Sequence, residues 1–163
     1  MKPWTKTPGY KGWVVALKKH RSTKRQRPSN DMCRSKDFCK GAKNIPRSLM
    51  PQIYNAKRFS KTIRRKFKVG SKRTTMRARN MKPAQREINE DRVDDVVDAI
   101  EEKRLTKNPI VVSKDGYVVD GHHRWAAYKK KAPSKKIPVL KIDAPIKDAL
   151  GIAVAAGTKR EAF

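Results

Sequence analysis

Asn108–Lys131 reads NPIVVSKDGYVVDGHHRWAAYKKK. Pro109 to Ser113 is short, β-branched and apolar, and Lys114-Asp115-Gly116 carries an Asp-Gly turn signal. Tyr117-Val118-Val119 resumes the strand, Asp120-Gly121 breaks it, and His122 to Tyr128 has helical composition. The stretch therefore predicts strand, tight turn, strand and then a helix that starts on Gly121. That order delivers Asp120, His122, His123 and Arg124 together at a strand end and a helix N-terminus. Free backbone N–H groups and the helix dipole make such a corner a seat for a phosphate or another anion.

Outward from this corner the pattern stays that of a small α/β layer. Upstream, Asn89 is a good N-cap with acids in the turn that follows, and Glu90–Lys103 reads as a helix. Val93, Val96, Val97 and Ile100 form its apolar face. Asp94, Asp95, Asp98, Glu101 and Glu102 take the wet side, as solvated charge before a metal site, or as an attractor for the basic arm of this chain or of a neighbour. Leu105–Asn108 links this helix to the central strands. Downstream, Lys129–Lys136 is a basic loop with Pro133, Ile137–Asp143 a further strand, and Pro145–Gly157 an Ala-rich helix. Helix, hairpin, helix, strand and helix make a compact α/β (α+β) domain, a small mixed sheet flanked by helices.

Charge divides the chain. Of 163 residues, 42 are Lys or Arg and 15 Asp or Glu, a net +27. Residues 1–80 hold 25 of the bases and only two acids, a net +23, and residues 81–163 carry only +4. The expected organisation is thus a basic, partly extended nucleic-acid-binding arm over 1–80 and a folded domain over 81–163. Self-repulsion at this density calls for a polyanion nearby, and nucleic acid, DNA before RNA, is the expected partner. A membrane surface is not expected, because no long apolar amphipathic face accompanies the charge. No run approaches the ~20 apolar residues of a membrane span. No secretory signal is evident, so a cytoplasmic, nucleoid-associated protein or one packaged in a virion is expected.

Within the basic half, Met1–Tyr10 reads as irregular, Gly12–His20 as a short strand or helix, and Arg21–Asn30 as extended. Trp4, Tyr10 and Trp13 lie between lysines and either stack on exposed bases or anchor the segment to its own domain. Cys33 and Cys39 have five residues between them, whereas structural zinc asks for about two to four and a second ligand pair. His20 is a third candidate ligand and no fourth is evident, so two reduced thiols are expected rather than zinc. Ile45–Ile53, with prolines at 46 and 51, reads as an ordered, non-helical strap. Residues 54–67 predict an amphipathic helix. Phe59, Ile63 and Phe67 line one side, and Lys57, Arg58, Lys61, Arg64 and Arg65 fall mostly elsewhere, suited to a phosphate backbone. Lys68–Asn80 reads as a flexible basic linker whose Lys72 and Arg73 extend the same surface.

DGHHRWAAY resembles the signature of the ParB/sulfiredoxin superfamily and of ParB-like domains often found in phage and plasmid proteins. In ParB the matching stretch is Gly-Glu-Arg-Arg-Trp, in sulfiredoxin Gly-Cys-His-Arg-Tyr, and Asp-Gly-His-His-Arg is the form found in free serine kinases. Upstream, Lys82-Pro83-Ala84-Gln85-Arg86-Glu87-Ile88 is similar to the Gln-containing box that opens this domain. The resemblance covers roughly Met81 to Gly157, about half the chain. It implies a phosphate or nucleotide site built from Gly121, Arg124 and Gln85, with Asp120, His122, His123 and Glu87 as candidate catalytic groups. Asp120 and Glu87 are the candidate Mg²⁺ ligands, and the nucleotide is ATP or ADP, or CTP.

Each of these residues has a plainer role open to it. Arg124 suits a bidentate phosphate contact, or a salt bridge to Asp120 or Glu87. Asp120 suits Mg²⁺ or a substrate proton, or an N-cap. Adjacent histidines on a helix diverge by about 100°, so one at most is expected to face the site. Trp125 is expected in the core. His122 stands where sulfiredoxin has its cysteine, which excludes that sulfur chemistry. Arginines of ParB's CTP site are replaced here by His122 and His123, and no helix-turn-helix pattern follows. Three readings stay open: a DNA nuclease or nucleotide-binding DNA-associated protein of phage or mobile-element type, a small-molecule kinase, or a non-catalytic nucleic-acid-binding component. Self-association, or assembly with other phage proteins, is the expected mode for the last of these.

Overall fold

A computed structural model describes residues 2–21, 29–35, 37–103, 108–157 and 159–160. In chain order the elements are helix α1 (Pro8–Arg21), strand β1 (Pro51–Gln52), α2 (Ala56–Phe67), β2 (Ser71–Arg77), β3 (Lys82–Pro83), α3 (Glu90–Glu101), β4 (Ile110–Val112), β5 (Tyr117–Asp120), α4 (His122–Lys131), β6 (Lys136–Ile142), α5 (Ile146–Ala155) and β7 (Lys159–Arg160). Five strands form one mixed sheet in the order β2-β6-β4-β5-β3. β4 runs parallel to β6 and β3 parallel to β5, and the other pairs are antiparallel. β1 and β7 make a separate antiparallel pair. The fold is α/β, and the hairpin of the central stretch lies inside its sheet. Among the described residues no helix is long and apolar enough to cross a membrane.

Both faces of the sheet are covered, so its central strands read as continuous apolar runs rather than as alternation. The period of two survives in the packing. Val111, Val119, Leu140 and Ile142 join one core with Phe59, Ile63 and Phe67 of α2 and with α5. Ile110, Val112, Val118, Ile137 and Val139 join a second core with Val93 of α3 and Trp125 of α4. Trp125 is fully buried, as its apolar surroundings in sequence suggest, and its indole N–H donates to the Ala78 carbonyl at 2.9 Å.

Much of the basic half belongs to these cores. The expected linker at 68–80 is instead β2, paired with β6 along its whole length from Ser71↔Ile142 to Arg77↔Lys136. Lys72, Arg73, Thr74 and Thr75 are all exposed on this edge strand, and an edge that stays wet keeps charged residues. That polarity disguised the strand. Gly12–His20 is helical, and the segment expected to be irregular is a 3₁₀ turn at Pro3–Lys6 followed by the start of α1. Trp4 and Trp13 are buried, and Trp13 Nε1 donates to the Leu49 carbonyl at 2.7 Å. A Cβ on Gly151 would come within 2.7 Å of the Tyr10 ring, so α1 docks on α5 through a position that admits only glycine. Trp4 and Trp13 therefore anchor in the core, and the half-buried Tyr10 packs on α5. Of the run expected to be extended at 21–30, residues 22–28 lie outside the described residues, as do 104–107 before β4.

The strap is ordered as expected. Ile45, Leu49, Met50 and Ile53 are buried, Ile45 N donates to the Ala84 carbonyl at 3.0 Å, and Arg86 N donates to the Ile45 carbonyl at 2.6 Å. Helix α2 begins two residues later than its sequence pattern because the Asn55 side chain caps it, accepting from Arg58 N at 3.0 Å. The acidic face of α3 meets the basic end of α4. Lys130 Nζ lies 3.0 Å from Asp94 and 4.0 Å from Glu90, and Lys131 pairs with Glu101.

Cys33 and Cys39 form a disulfide, which corrects the expectation of free thiols. What brings them together is not their spacing but the loop around them. Asp31 is buried and its Oδ1 accepts from both Cys33 N (2.9 Å) and Ile88 N (3.0 Å), pinning the loop to the domain. Phe38 packs on Trp125 with ring centroids 5.5 Å apart, and both sulfurs belong to the core beside that tryptophan. Closing so short a loop stabilises a fold by about 2 kcal/mol in the chain-entropy account. Reduction, or the Cys33→Ser/Cys39→Ser pair, is therefore expected to lower the melting temperature by several degrees. A thermal melt unchanged by reductant would contradict the assignment.

Candidate functional site

The corner begins at Gly121, whose φ of +99° lets β5 turn directly into α4. A Cβ there would come within 3.0 Å of Arg124 Nη2 and 3.2 Å of Ile110 Cγ1. The Arg124 side chain thus lies back over the glycine, where Nη1 donates to the Asn108 carbonyl. Burial pushes the pKa of this guanidinium below its ordinary value, with Asp120 and then Tyr128 pulling it back. Asp120 Oδ2 accepts from Ile53 N at 3.1 Å, so the strap is seated on the corner's carboxylate.

His122 is 4% exposed. Its Nε2 accepts from Ala84 N at 2.9 Å and from Gln85 N at 3.0 Å. Two donors on one lone pair require the neutral imidazole, and they assign its proton to Nδ1. Burial, and then the neighbouring His123, lower its pKa to about 3. His123 is half-buried and its Nε2 accepts from Asn89 N, the N-cap of α3, at 3.3 Å. Both histidines thus turn a ring nitrogen onto the backbone of residues 84–89, one expected at most to face a ligand. Neither offers that nitrogen as a base.

Gln85 is buried and its amide donates to the Glu87 carbonyl. The Glu87 carboxylate turns elsewhere, accepting from Arg47 N at 3.2 Å and lying 3.8 Å from Arg86 Nε. A cavity of about 180 Å³ remains at the corner, lined by Gln85, Asp120, Gly121, His122, His123 and Arg124 on one side and by strap residues Met50–Gln52 on the other. Glu87 is not part of that lining, so the two carboxylates expected to share Mg²⁺ are split. Among the described residues no three His, Cys, Asp or Glu side chains are grouped to hold a metal. Pockets that take drug-sized ligands run to about 300–1,000 Å³, and this one is smaller. The residues present do not fit a Mg²⁺-nucleotide here.

A different surface gathers the cations. On α2, Phe59, Ile63 and Phe67 are buried, while Lys57, Arg58, Lys61, Arg64 and Arg65 are exposed. A groove of about 840 Å³ runs beside this helix, with Arg58, Lys61, Arg65 and Lys66 on its wall and Ile53 and Phe59 among its lining. A neighbouring hollow of about 600 Å³ is lined by Lys61, Arg64, Arg65, Lys68 and Gly70. Lys72 and Arg73 stand exposed on β2, the strand that follows. Lys66 and Lys68 were missed in the sequence, although the unbroken RRKFK run was a signal for them. Among the described residues, none of these side chains meets a carboxylate within ion-pair distance, in contrast to Lys130 and Lys131.

No protein-family model and no curated protein matches the chain. Among solved structures, that of a Pnob8-like ParB-N domain in its C2221 crystal form is similar over 50% of this chain and 33% of that one, with 17% identity and a TM-score of 0.40. The chain thus spans a third of that structure's length.

The bonds of His122 set a pH dependence. The imidazole titrates near 6.5 when unfolded and near 3 when folded, so between these values only the unfolded state takes up the proton. Its contribution to stability is complete above pH 6.5 and is lost as the pH falls toward 3, by up to about 1.4 kcal/mol per pH unit. His122→Gln keeps an acceptor without the titration. It is expected to be less stable than the parent at neutral pH, with the gap narrowing as the buffer is acidified from 6.5. Chemical denaturation of both proteins across that range checks this; parallel stability curves would contradict a neutral, buried imidazole with a lowered pKa.

Proposed function

We propose that this protein is a ParB-like nucleic-acid binder that holds its ligand along the cationic face of α2 and β2, with DNA the first form to test. In this reading the DGHHR corner serves the fold and not turnover. The observation that carries it is the uncompensated charge. Lys57, Arg58, Lys61, Arg64 and Arg65 share the wet side of one helix, Lys72 and Arg73 follow on the next strand, and among the described residues none of them meets a carboxylate within ion-pair distance. Like charges so close raise the free energy of the free protein, and a phosphate backbone relieves this while releasing its own counterions.

Nuclease or phosphotransferase chemistry asks for a base with a free lone pair and a carboxylate able to hold metal near it. Asp120 and His122 spend those groups on Ile53 N and on Ala84 and Gln85 N, and Glu87 is turned to Arg47 N. This supports the non-catalytic reading among the three open from sequence, with assembly alongside other proteins on the same nucleic acid as its natural setting.

Fluorescence anisotropy with random-sequence DNA and RNA at several salt concentrations tests the reading. Five or so phosphate contacts are expected to lower affinity by about two to three orders of magnitude between 50 and 200 mM salt. Changing Lys61, Arg64 and Arg65 together to Gln is expected to reduce the slope of log affinity against log salt by about two to three. Asp120→Asn is expected to leave binding within about twofold. A slope near zero in the parent protein would remove the proposal.

A further inference from the structure

Most of the aromatic side chains are spent on the two cores. Trp4, Trp13, Phe59, Phe67, Tyr117 and Trp125 are buried. Among the described residues Tyr54 is the one exposed aromatic: it is 65% exposed, and it sits on the rim of the 840 Å³ groove beside α2. Its position is built rather than incidental. The phenol donates to Gln52 Oε1, and the Tyr54 carbonyl accepts from Asn108 Nδ2 at 3.3 Å. The next residue, Asn55, caps α2, so the ring stands at the helix end where backbone N–H groups point outward.

We infer that this groove takes a single-stranded segment of nucleic acid, with one unpaired base stacked on Tyr54 and the adjoining phosphates on Arg58, Lys61, Arg65 and Lys66. The inference rests on the nucleic-acid reading above and narrows it to a strand type. A base in a duplex has both faces covered by its neighbours, and so has none to offer to a tyrosine ring. A cationic groove with an exposed aromatic on its rim suits unstacked bases instead, whatever their identity, because every base has a flat face. The volume lies within the range of about 300–1,000 Å³ for clefts that take drug-sized ligands. The apolar side chains of Ile53 and Phe59 in the lining give the sugar and base edge a dry wall.

The test compares a short single strand, the same strand carrying abasic sites, and the matching duplex, at one salt concentration, against the parent protein and Tyr54→Ala and Tyr54→Trp. Loss of one stacked base is expected to weaken single-strand binding by Tyr54→Ala about ten- to a hundredfold. Tyr54→Trp is expected to retain it, the abasic strand to bind the parent and Tyr54→Ala alike, and the duplex to be indifferent to all three. Tyr54 is exposed, so the variants are expected to melt with the parent, and a circular-dichroism melt verifies this. If Tyr54→Ala binds the single strand as the parent does, or weakens strand and duplex equally, the stacking inference falls while the cationic face stands. If neither nucleic acid shows salt-dependent binding, the cationic-face reading falls with it.

Discussion

The fold turns on a buried imidazole. His122 accepts from two successive backbone N–H groups, those of Ala84 and Gln85, and so ties the first turn of α4 to the segment that enters the sheet as β3. Unpaired backbone donors at this depth would each cost about 1–3 kcal/mol. The arrangement works only while the ring is neutral, which burial enforces. His123 repeats the device one residue on, at Asn89 N. A dipeptide that resembles part of a catalytic signature is thus, in this chain, the clasp between one helix and the 84–89 segment. Asp120 and Arg124 complete it by holding the backbone at Ile53 and Asn108.

Charge is sorted with the same economy. Helix α3 presents its carboxylates to the lysines that end α4, and each such pair is exposed and contributes at most about 1 kcal/mol. Their larger effect is on distribution. By neutralising one another they leave the lysines that end α4 compensated, in contrast to the bases of α2 and β2, which meet no carboxylate among the described residues. Lys129 is accommodated in another way. It lies 4.8 Å from the Phe38 ring centroid and 5.2 Å from that of Trp125, and donates to the Phe38 carbonyl.

The sequence made the strand–turn–strand–helix core legible because short β-branched runs, an Asp-Gly turn and a glycine before a helix each have one local cause. Helices α2 and α3 were equally clear from their apolar spacing. The limits of that reading lay where tertiary contacts decide. β2 is polar along its length, and only its partner β6 makes it a strand. The disulfide depends on Asp31 reaching Ile88 N, 57 residues away. For Trp4, Tyr10 and Trp13, composition allowed two roles, and the fit of Tyr10 against Gly151 chose between them. The residue types at the corner were read correctly as polar and convergent. Their acceptors, however, point at backbone donors that no spacing rule reveals. Tyr54 was hidden for the opposite reason: it stood at the head of a helical run and gave no sign that its ring would stay outside.

The strap joins the corner to the groove. Ile53 N sits on Asp120, Gln52 holds the Tyr54 phenol, and Asn55 starts α2, all within four residues. An ordered residue loses backbone freedom worth about 1–2 kcal/mol, so a strap of this length must be fastened at several points to stay in place. β1 pairing with β7 supplies one fastening, the Ile45–Ala84 bond another, and the carboxylate of Asp120 the one nearest the groove. On this account the corner's place in evolution's kit of phosphate sites is less informative than its position in the chain. Holding Ile53 fixes where α2 begins, and the start of α2 fixes which way its cations and the Tyr54 ring face. A corner of this kind can be required without any ligand, because the cationic face of α2 is aligned through it.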